Sequence, residues 1–243
     1  MAILAADMVN NVLLALNEAA NTPAGALGGG VDATDVITTA NAIKGYLSDA
    51  GSLIAMTCVP MIDTFTGTMT SGSIDILAHS LTPAGSETGQ LWMPRNVKLA
   101  GAPLQFIGRD VAEIFNPGLA TSAPGTPRYW WFDGGLIGTD VPVSADRALS
   151  VEAYATPKAF SGGVTSWSWL PDRDHVLPEY YAEVRLAYKN MTDGQLGPRA
   201  ASCAADFDSA CLQRWSNLPF ISRRLVFKNP PLPLLRQIQQ QGA

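Results

Sequence analysis

Charged side chains are scarce in this chain of 243 residues, since Asp, Glu, Lys and Arg make up only 15% of it. The formal net charge of -5 argues against the basic face expected of a general nucleic-acid-binding protein. Surfaces poor in charge are typical where partners cover much of the protein. The composition therefore favours an oligomer or an assembly component.

Cysteine is also rare, with Cys58, Cys203 and Cys211 as its three occurrences. Cys203 and Cys211 are separated by about two turns of a segment with helical periodicity, roughly 12 Å along a helix axis. A disulfide cannot bridge that distance. We therefore expect reduced, buried cysteines and folding in a cytoplasmic compartment.

Long apolar runs are missing as well, so no membrane span is expected. The N-terminal segment 1–21 has the length of a signal peptide but lacks a basic start, and Asp7 and Glu18 interrupt its apolar residues. An amphipathic helix is the better prediction for it.

Helical periodicity marks four segments, in which apolar residues recur at steps of three and four. These segments cover residues 4–20, 34–54, 178–194 and 198–215. A glycine-rich connector, residues 22–30, separates the first two. The first and last pairs are predicted to pack as one four-helix bundle.

Between the helical pairs, short runs rich in Thr, Ile, Val and aromatic residues alternate with Gly and Pro, which predicts six to eight strands. A helical turn is expected at 109–115. The segment 126–157 places Tyr129, Trp130, Trp131 and Phe132 before an Asp-Gly pair, a β-hairpin signal. A strand, 149–156, follows and ends at Pro157.

The predicted fold class is therefore α+β: a four-helix bundle from the N- and C-terminal helical pairs, an inserted antiparallel β domain and an extended C-terminal arm. The expected domains are an N-terminal helical pair (1–59), the β domain (60–171), a C-terminal helical pair (172–218) and the arm (219–243).

One cluster has the ingredients of acid–base or metal chemistry: His175 with Asp172, Asp174 and Glu179. No HExxH spacing is present, and acidic residues before a helix are better explained by capping and the helix dipole. His79 stands alone. We expect no catalytic residues, no metal site and no cofactor, and a hydrolase centred on His175 is the least favoured hypothesis.

The glycine groups at 25–30 and 134–138 match neither phosphate-loop pattern, and no GxSxG elbow occurs. The tryptophans offer an alternative function, a carbohydrate-binding tail or surface module. Packing is the favoured interpretation, because each ring buries a large area. The tryptophans concerned are Trp92, Trp130, Trp131, Trp167 and Trp169.

The C-terminal segment combines a small basic group (Arg223, Arg224 and Lys228) with prolines that favour an extended conformation. Its apolar residues have no evident core to join, so they are candidates for a docking arm that binds a groove on a partner. The predicted arm residues are Phe227, Pro230, Pro231, Leu232, Pro233, Leu234, Leu235 and Ile238.

Taken in order, three motifs make the chain resemble the adaptor (head–tail connector) proteins of tailed bacteriophages, especially short-tailed ones. They are Gly125-x-Pro127-x-Tyr129, the strand end Ala153-Tyr154-Ala155-Thr156-Pro157, and the helix start Leu177-Pro178 followed by Tyr181. The resemblance covers residues 5–215. The glycine-rich connector and the proline-rich tail depart from the family pattern.

The resemblance implies a non-enzymatic virion protein at the neck, where head and tail meet. It implies a homo-oligomeric ring of twelve copies, bound to the portal protein on one side and to a tail nozzle or tail-tube protein on the other. Double-stranded DNA would pass through the ring without sequence-specific contacts. The C-terminal arm would dock on the portal.

Overall fold

The computed structural model describes residues 3–15, 33–70, 73–75, 81–119, 122–160, 164–189, 198–219 and 226–241. The chain forms two compact units, one made of Met1–Met61 with Pro157–Ala243 and the other of Ile62–Thr156. We call them the helical unit and the sheet unit. The glycine-rich connector, His79, Arg223 and Arg224 lie outside the described residues.

The described helices, in chain order, are α1 (Ala5–Ala15), α2 (Ala33–Thr57), α3 (Arg109–Phe115), α4 (Val176–Lys189), α5 (Pro198–Ser216) and α6 (Leu234–Gln241). The strands are β1 (Ile3–Leu4), β2 (Met61–Met69), β3 (Ser73–Asp75), β4 (Thr82–Pro83), β5 (Thr88–Leu99), β6 (Ala102–Phe106), β7 (Tyr129–Asp133), β8 (Leu136–Thr139), β9 (Arg147–Pro157) and β10 (Ser166–Trp167). A 3-10 turn, Asp172–Asp174, precedes α4.

In the helical unit, α4 occupies the centre and packs against α1, α2 and α5, while α6 packs on α5. Its apolar residues form two clusters, one around Tyr181 and Phe207 and the other around Met8 and Trp167. The short strands β1 and β10 pair antiparallel. Among the described residues, no helix combines the length and apolarity needed to cross a bilayer.

The sheet unit contains one sheet with the order β3-β8-β7-β6-β5-β9-β2-β4. The sheet curls into a half-barrel. Its buried face includes Phe65, Trp130 and Val151. Strand β9 alternates buried and half-buried residues along most of its length, the period-two pattern that the sequence indicated.

The predicted fold class was wrong in three respects, although the chain is α+β. The helices do not form a four-helix bundle, because α4 is central, with α1, α2 and α5 packed around it, and a further helix, α6, packs on α5. The sheet is mixed rather than antiparallel, since β6 and β7 pair in parallel. The connection through α3 returns the chain to the same end of the sheet, and such a crossover is what a parallel pair requires.

The extended C-terminal arm was the third error, because residues 234–241 form α6. Leu234 and Ile238 lie one helical turn apart and are both buried against the helical core. The prolines that precede α6 led to the prediction of an extended arm. They favour an extended chain only as far as residue 233, and the helix begins at the next residue.

The aromatic hairpin is confirmed, with its turn one residue later than predicted. Strands β7 and β8 pair antiparallel from Trp130–Thr139 to Asp133–Leu136. The two turn residues are Gly134 (φ 55°) and Gly135 (φ 85°). Positive φ at both positions is the geometry of a tight hairpin, and glycine adopts it without strain. The helical turn at 109–115 is confirmed as α3.

Candidate interaction surface

Arg109 fastens the first turn of α3 to the aromatic hairpin. Its guanidinium donates to Asp133 Oδ2 at 2.8 Å and to Glu113 Oε1 at 3.1 Å. The same group lies 5.3 Å from the centre of the Trp131 ring, within the range of a cation–π contact. The hydrogen bond to Asp133 raises the pKa of the Arg109 guanidinium, and the bond to Glu113 adds to this effect. The positive charge of Arg109 therefore persists at any physiological pH.

The other end of α3 is fixed by a stacked ring pair and an asparagine. The rings of Phe115 and Tyr129 stack with their centres 6.5 Å apart. Asn116 follows the helix and donates from Nδ2 to the carbonyl oxygen of Asp140 at 2.8 Å and to Ser122 Oγ at 2.9 Å. Because both ends are held, α3 presents its remaining residues in a fixed orientation.

Three of the outward residues of α3 are apolar, and they lie beside the exposed charged residues Arg109, Asp110 and Glu113. Val111, Ile114 and Phe115 occupy positions i, i+3 and i+4, so they share one helix face, and they are 41%, 76% and 71% exposed. Ala112 is the one residue that the helix buries. Phe106, at the end of β6, is 57% exposed and packs edge-on against Trp130 at 4.8 Å. We call Phe106, Val111, Ile114 and Phe115 the α3 ridge.

Exposure of the α3 ridge to water is unfavourable. Burying an apolar side chain of this size completely is worth about 1.5–3 kcal/mol relative to leaving it exposed. Exposed apolar residues are common singly, but three on one face of a helix whose two ends are held are typical of an interaction site. The surface can therefore bind an apolar partner.

The predicted docking arm contributes mainly to the core of its own chain. Phe227, Leu234 and Ile238 are buried in the helical unit, and Leu235 and Pro231 are partly buried. The carbonyl oxygen of Phe227 accepts a hydrogen bond from the indole of Trp215 at 2.9 Å. The exposed arm residues are Pro230, Leu232 and Pro233.

A cavity of about 540 Å³ lies where the arm meets the end of α2. Met56 and Thr57 line it from α2, while Pro230, Pro231 and Leu232 line it from the arm. Of the predicted arm residues, Leu234 and Ile238 hold α6 against the core, whereas Phe227, Pro230, Pro231 and Leu232 line this cavity.

The structure separates the predicted acid–base cluster. Asp174 is buried and accepts from Arg214 Nε at 2.7 Å, whereas Glu179 accepts from Asn11 Nδ2 at 2.8 Å. His175 Nε2 lies 2.9 Å from the carbonyl oxygen of Leu170 and 3.7 Å from Asp172. Each carboxylate therefore has a different neighbour, and the cluster joins α4 to α5 and α1.

The tryptophans pack as core residues. Trp130, Trp131 and Trp167 are buried, and the indole N–H groups of Trp131 and Trp167 donate to backbone carbonyl oxygens. Trp169 is partly buried and lies 6.0 Å from Trp167, ring centre to ring centre. Trp92 packs against Tyr154 at 5.6 Å. Since Trp167 is fully buried, the exposed ring pair that sugar binding would need is not formed by Trp167 and Trp169.

Two features escaped the sequence analysis. The α3 ridge was visible as apolar residues spaced i, i+3 and i+4 in a predicted helical turn, but nothing in the sequence shows that these side chains stay exposed in the fold. The second feature is the burial of two cysteines, Cys58 and Cys211, in one apolar cluster. No local pattern connects these two residues, because they come from helices far apart in the chain.

No metal-binding group of three or more His, Cys, Asp or Glu residues occurs in the described part of the chain. No protein-family model matches the chain, and no curated protein matches it. Its function must therefore be inferred from its own residues.

Proposed function

We propose that this chain is a structural adaptor of a tailed-phage virion. Twelve copies form a ring at the neck that joins the portal protein to the tail nozzle or tail-tube protein. The α3 ridge is the observation that supports this proposal, because it is a rigid apolar surface that needs a partner and not a substrate.

A neighbouring copy of the chain is the occupant that best suits the ridge. Permanent homomeric interfaces are more apolar than transient ones, and an isoleucine that is 76% exposed, Ile114, is unfavourable to leave uncovered permanently. The portal brings the copies together, which raises their effective concentration and allows a contact of modest area to hold the ring closed.

The charge of the chain fits a passage for DNA. A net charge of -5 gives no strong attraction for phosphates, so double-stranded DNA can slide through the ring without being held. A protein meant to grip DNA would place Lys and Arg along one face.

The direct test is cryo-electron microscopy of phage particles that contain this chain. We expect density for a ring of twelve copies between the portal and the tail. Particles whose necks contain no copy of the chain would overturn the adaptor proposal.

The role of the ridge is tested separately with Ile114→Asp, which puts a charge in the centre of the apolar surface. We expect at least a tenfold loss of the chain from purified particles, measured by quantitative mass spectrometry, because a charge buried at the centre of an interface costs more than about 2 kcal/mol. The matched control is Leu212→Asp, at a half-exposed leucine of α5, which should leave the copy number unchanged. Equal losses for both variants would contradict the assignment of the ridge as the ring contact.

A further inference from the structure

The cavity between α2 and the arm lies within the helical unit, and the fold holds its walls in place. Its volume of about 540 Å³ is in the range of sites that bind small organic ligands. The indole of Trp215 donates to the carbonyl oxygen of Phe227 at 2.9 Å, which fixes the segment before α6. The backbone N–H of Leu234 donates to Asp208 at 2.7 Å, which fixes α6 itself. The cavity is therefore a preformed site.

Gln237 directs a polar group into this cavity from α6. The residue lines the cavity and is only 8% exposed. Its Nε2 donates a hydrogen bond to the carbonyl oxygen of Leu232. Only the NH₂ group of an amide can donate to a carbonyl oxygen, so this bond settles which way the side-chain amide of Gln237 points. The other polar atom, Oε1, accepts no hydrogen bond from any described residue.

The unpaired oxygen of Gln237 is open to the cavity. The described side-chain atoms that are both sealed from solvent and unpaired belong to other residues. Oε1 therefore keeps access to the open space that Gln237 lines. Leaving an acceptor in a largely buried residue without a donor is unfavourable, and a ligand that carries an N–H or O–H group would supply the missing hydrogen bond.

The charge of the lining favours an anionic ligand. Lys228 is exposed and forms no ion pair with a described residue. No acidic residue occurs among the described residues that line the cavity, whereas Asn229 and Gln240 add two side-chain amides. An ammonium group and amide N–H groups are the donors that a carboxylate accepts.

The other walls of the cavity are mostly apolar. Met56 and Leu232 line it and are also among the large apolar side chains that the described surface exposes. An apolar group of a ligand that covered them would remove this area from water. The apolar lining residues are Met56, Val226, Phe227, Pro230, Pro231 and Leu232.

We propose that the cavity binds an apolar amino acid that is acylated at its nitrogen and free at its carboxyl group. The ligand's side chain packs between Met56 and Leu232. Its amide N–H donates to Gln237 Oε1, and its carboxylate pairs with Lys228. A polypeptide that ends in an apolar residue presents this group at its C-terminus, and a free N-acyl amino acid presents it as a small molecule. This inference concerns the helical unit alone and does not rest on the adaptor proposal.

The test is a titration of the full chain with N-acetyl-leucine, followed by nuclear magnetic resonance because weak binding has to be detected. We expect saturable binding, and at least about tenfold weaker binding of N-acetyl-leucine amide, which lacks the carboxylate. The absence of binding by N-acetyl-leucine would overturn the proposal, and so would equal affinities for the acid and the amide.

A pentapeptide that ends in leucine with a free carboxylate distinguishes the two sources of the ligand. Binding at least tenfold tighter than that of N-acetyl-leucine would identify a polypeptide terminus, because the preceding residues then add contacts at the rim. Equal affinities would identify a free N-acyl amino acid, since nothing beyond the terminal residue would be recognised.

Variants test the two polar contacts. Gln237→Met keeps the length of the side chain but removes its amide, and we expect about tenfold weaker binding of N-acetyl-leucine. The matched control is Gln239→Met, at an exposed position of the same helix that does not line the cavity, which should bind as the unchanged chain does. Equal affinities of the two variants would overturn the role of Gln237.

Lys228→Gln removes the charge at an exposed position, so it tests the carboxylate contact without disturbing the packing of α6. We expect N-acetyl-leucine and its amide to bind this variant with similar affinity. A preference for the acid that stays as large as in the unchanged chain would show that Lys228 does not hold the carboxylate.

Discussion

The indole ring of Trp167 packs directly on Gly51 of α2. A Cβ atom at Gly51 would lie 2.2 Å from Cη2 of that ring. The ring is fully buried, stacks on Phe160 at 4.0 Å and is held by a hydrogen bond from its indole N–H to Lys158. Gly51 is therefore required by close packing between α2 and the segment that contains β10.

Replacing this glycine should destabilise the helical unit. We expect Gly51→Ala to lower the free energy of unfolding by about 1–3 kcal/mol, since the ring or the helix has to move. Gly45→Ala, in the same helix, should raise it by about 0.5–1 kcal/mol, because a Cβ at Gly45 would meet no atom within 4 Å. Denaturant unfolding measures both variants, and similar effects of the two would show that the ring does not depend on Gly51.

Two ion pairs of different exposure should differ in importance. Asp174 and Glu183 are both buried, but Arg214 is 19% exposed and Arg199 is 62% exposed. We expect Arg214→Ala to cost about 3–5 kcal/mol, since the buried carboxylate of Asp174 would be left with a 3.7 Å contact to the largely exposed Arg173. Arg199→Ala should cost about 1–3 kcal/mol, because water can replace the lost guanidinium. Thermal or denaturant unfolding measures the stability lost in each variant. A larger loss in Arg199→Ala than in Arg214→Ala would contradict this prediction.

Glu179 should make stability depend on pH in the acidic range. Burial raises the pKa of Glu179 above its ordinary value of 4.5, although the hydrogen bond from Asn11 opposes the shift. The folded state then holds the proton more tightly than the unfolded state. Its contribution to stability is present at low pH and is lost as the pH rises from 4.5 through the folded pKa.

Glu179→Gln removes this titration and keeps an acceptor for Asn11. We expect the variant to gain stability relative to the unchanged chain as the pH rises from about 4 to about 7. Asp49 and Asp208 also have a raised pKa, but they are present in both proteins, so the difference isolates Glu179. If the difference in unfolding free energy between Glu179→Gln and the unchanged chain stays constant with pH, a raised pKa at Glu179 is excluded.

Asp208 holds the C-terminal helix in place. Its Oδ1 accepts a hydrogen bond at 2.7 Å from the backbone N–H of Leu234, the first residue of α6. We expect Asp208→Ala to destabilise α6 by about 1 kcal/mol and to speed amide exchange in residues 234–241. Asp208→Asn retains the acceptor oxygen and should behave like the unchanged chain. Equal exchange rates in the alanine variant would show that the helix does not need this cap.

The amount of structure that the sequence predicted varied between its parts. The periodicity at 34–54 and at 198–215 predicted α2 and α5 to within a few residues, and the aromatic run before Gly134 predicted the hairpin. The parallel partner of β7, which is β6, could not be predicted from the sequence. This pairing depends on how α3 returns the chain and not on the residues of either strand. The prediction of an extended arm failed for a related reason. Leu234 and Ile238 are equally apolar in an extended chain and in a helix, and it is the contact with α5 that favours the helix.

By itself, then, the sequence determined the local elements and the scarcity of charge, since helical and strand periods and composition are properties of neighbouring residues. The tertiary structure alone decided which apolar residues remain exposed in the α3 ridge. It also placed Cys58 and Cys211 in one apolar cluster and Trp167 against Gly51, although these residues are far apart in the chain. The physical reason is that burial and pairing are set by contacts between distant segments, and the sequence specifies those contacts only through the packing of the whole unit.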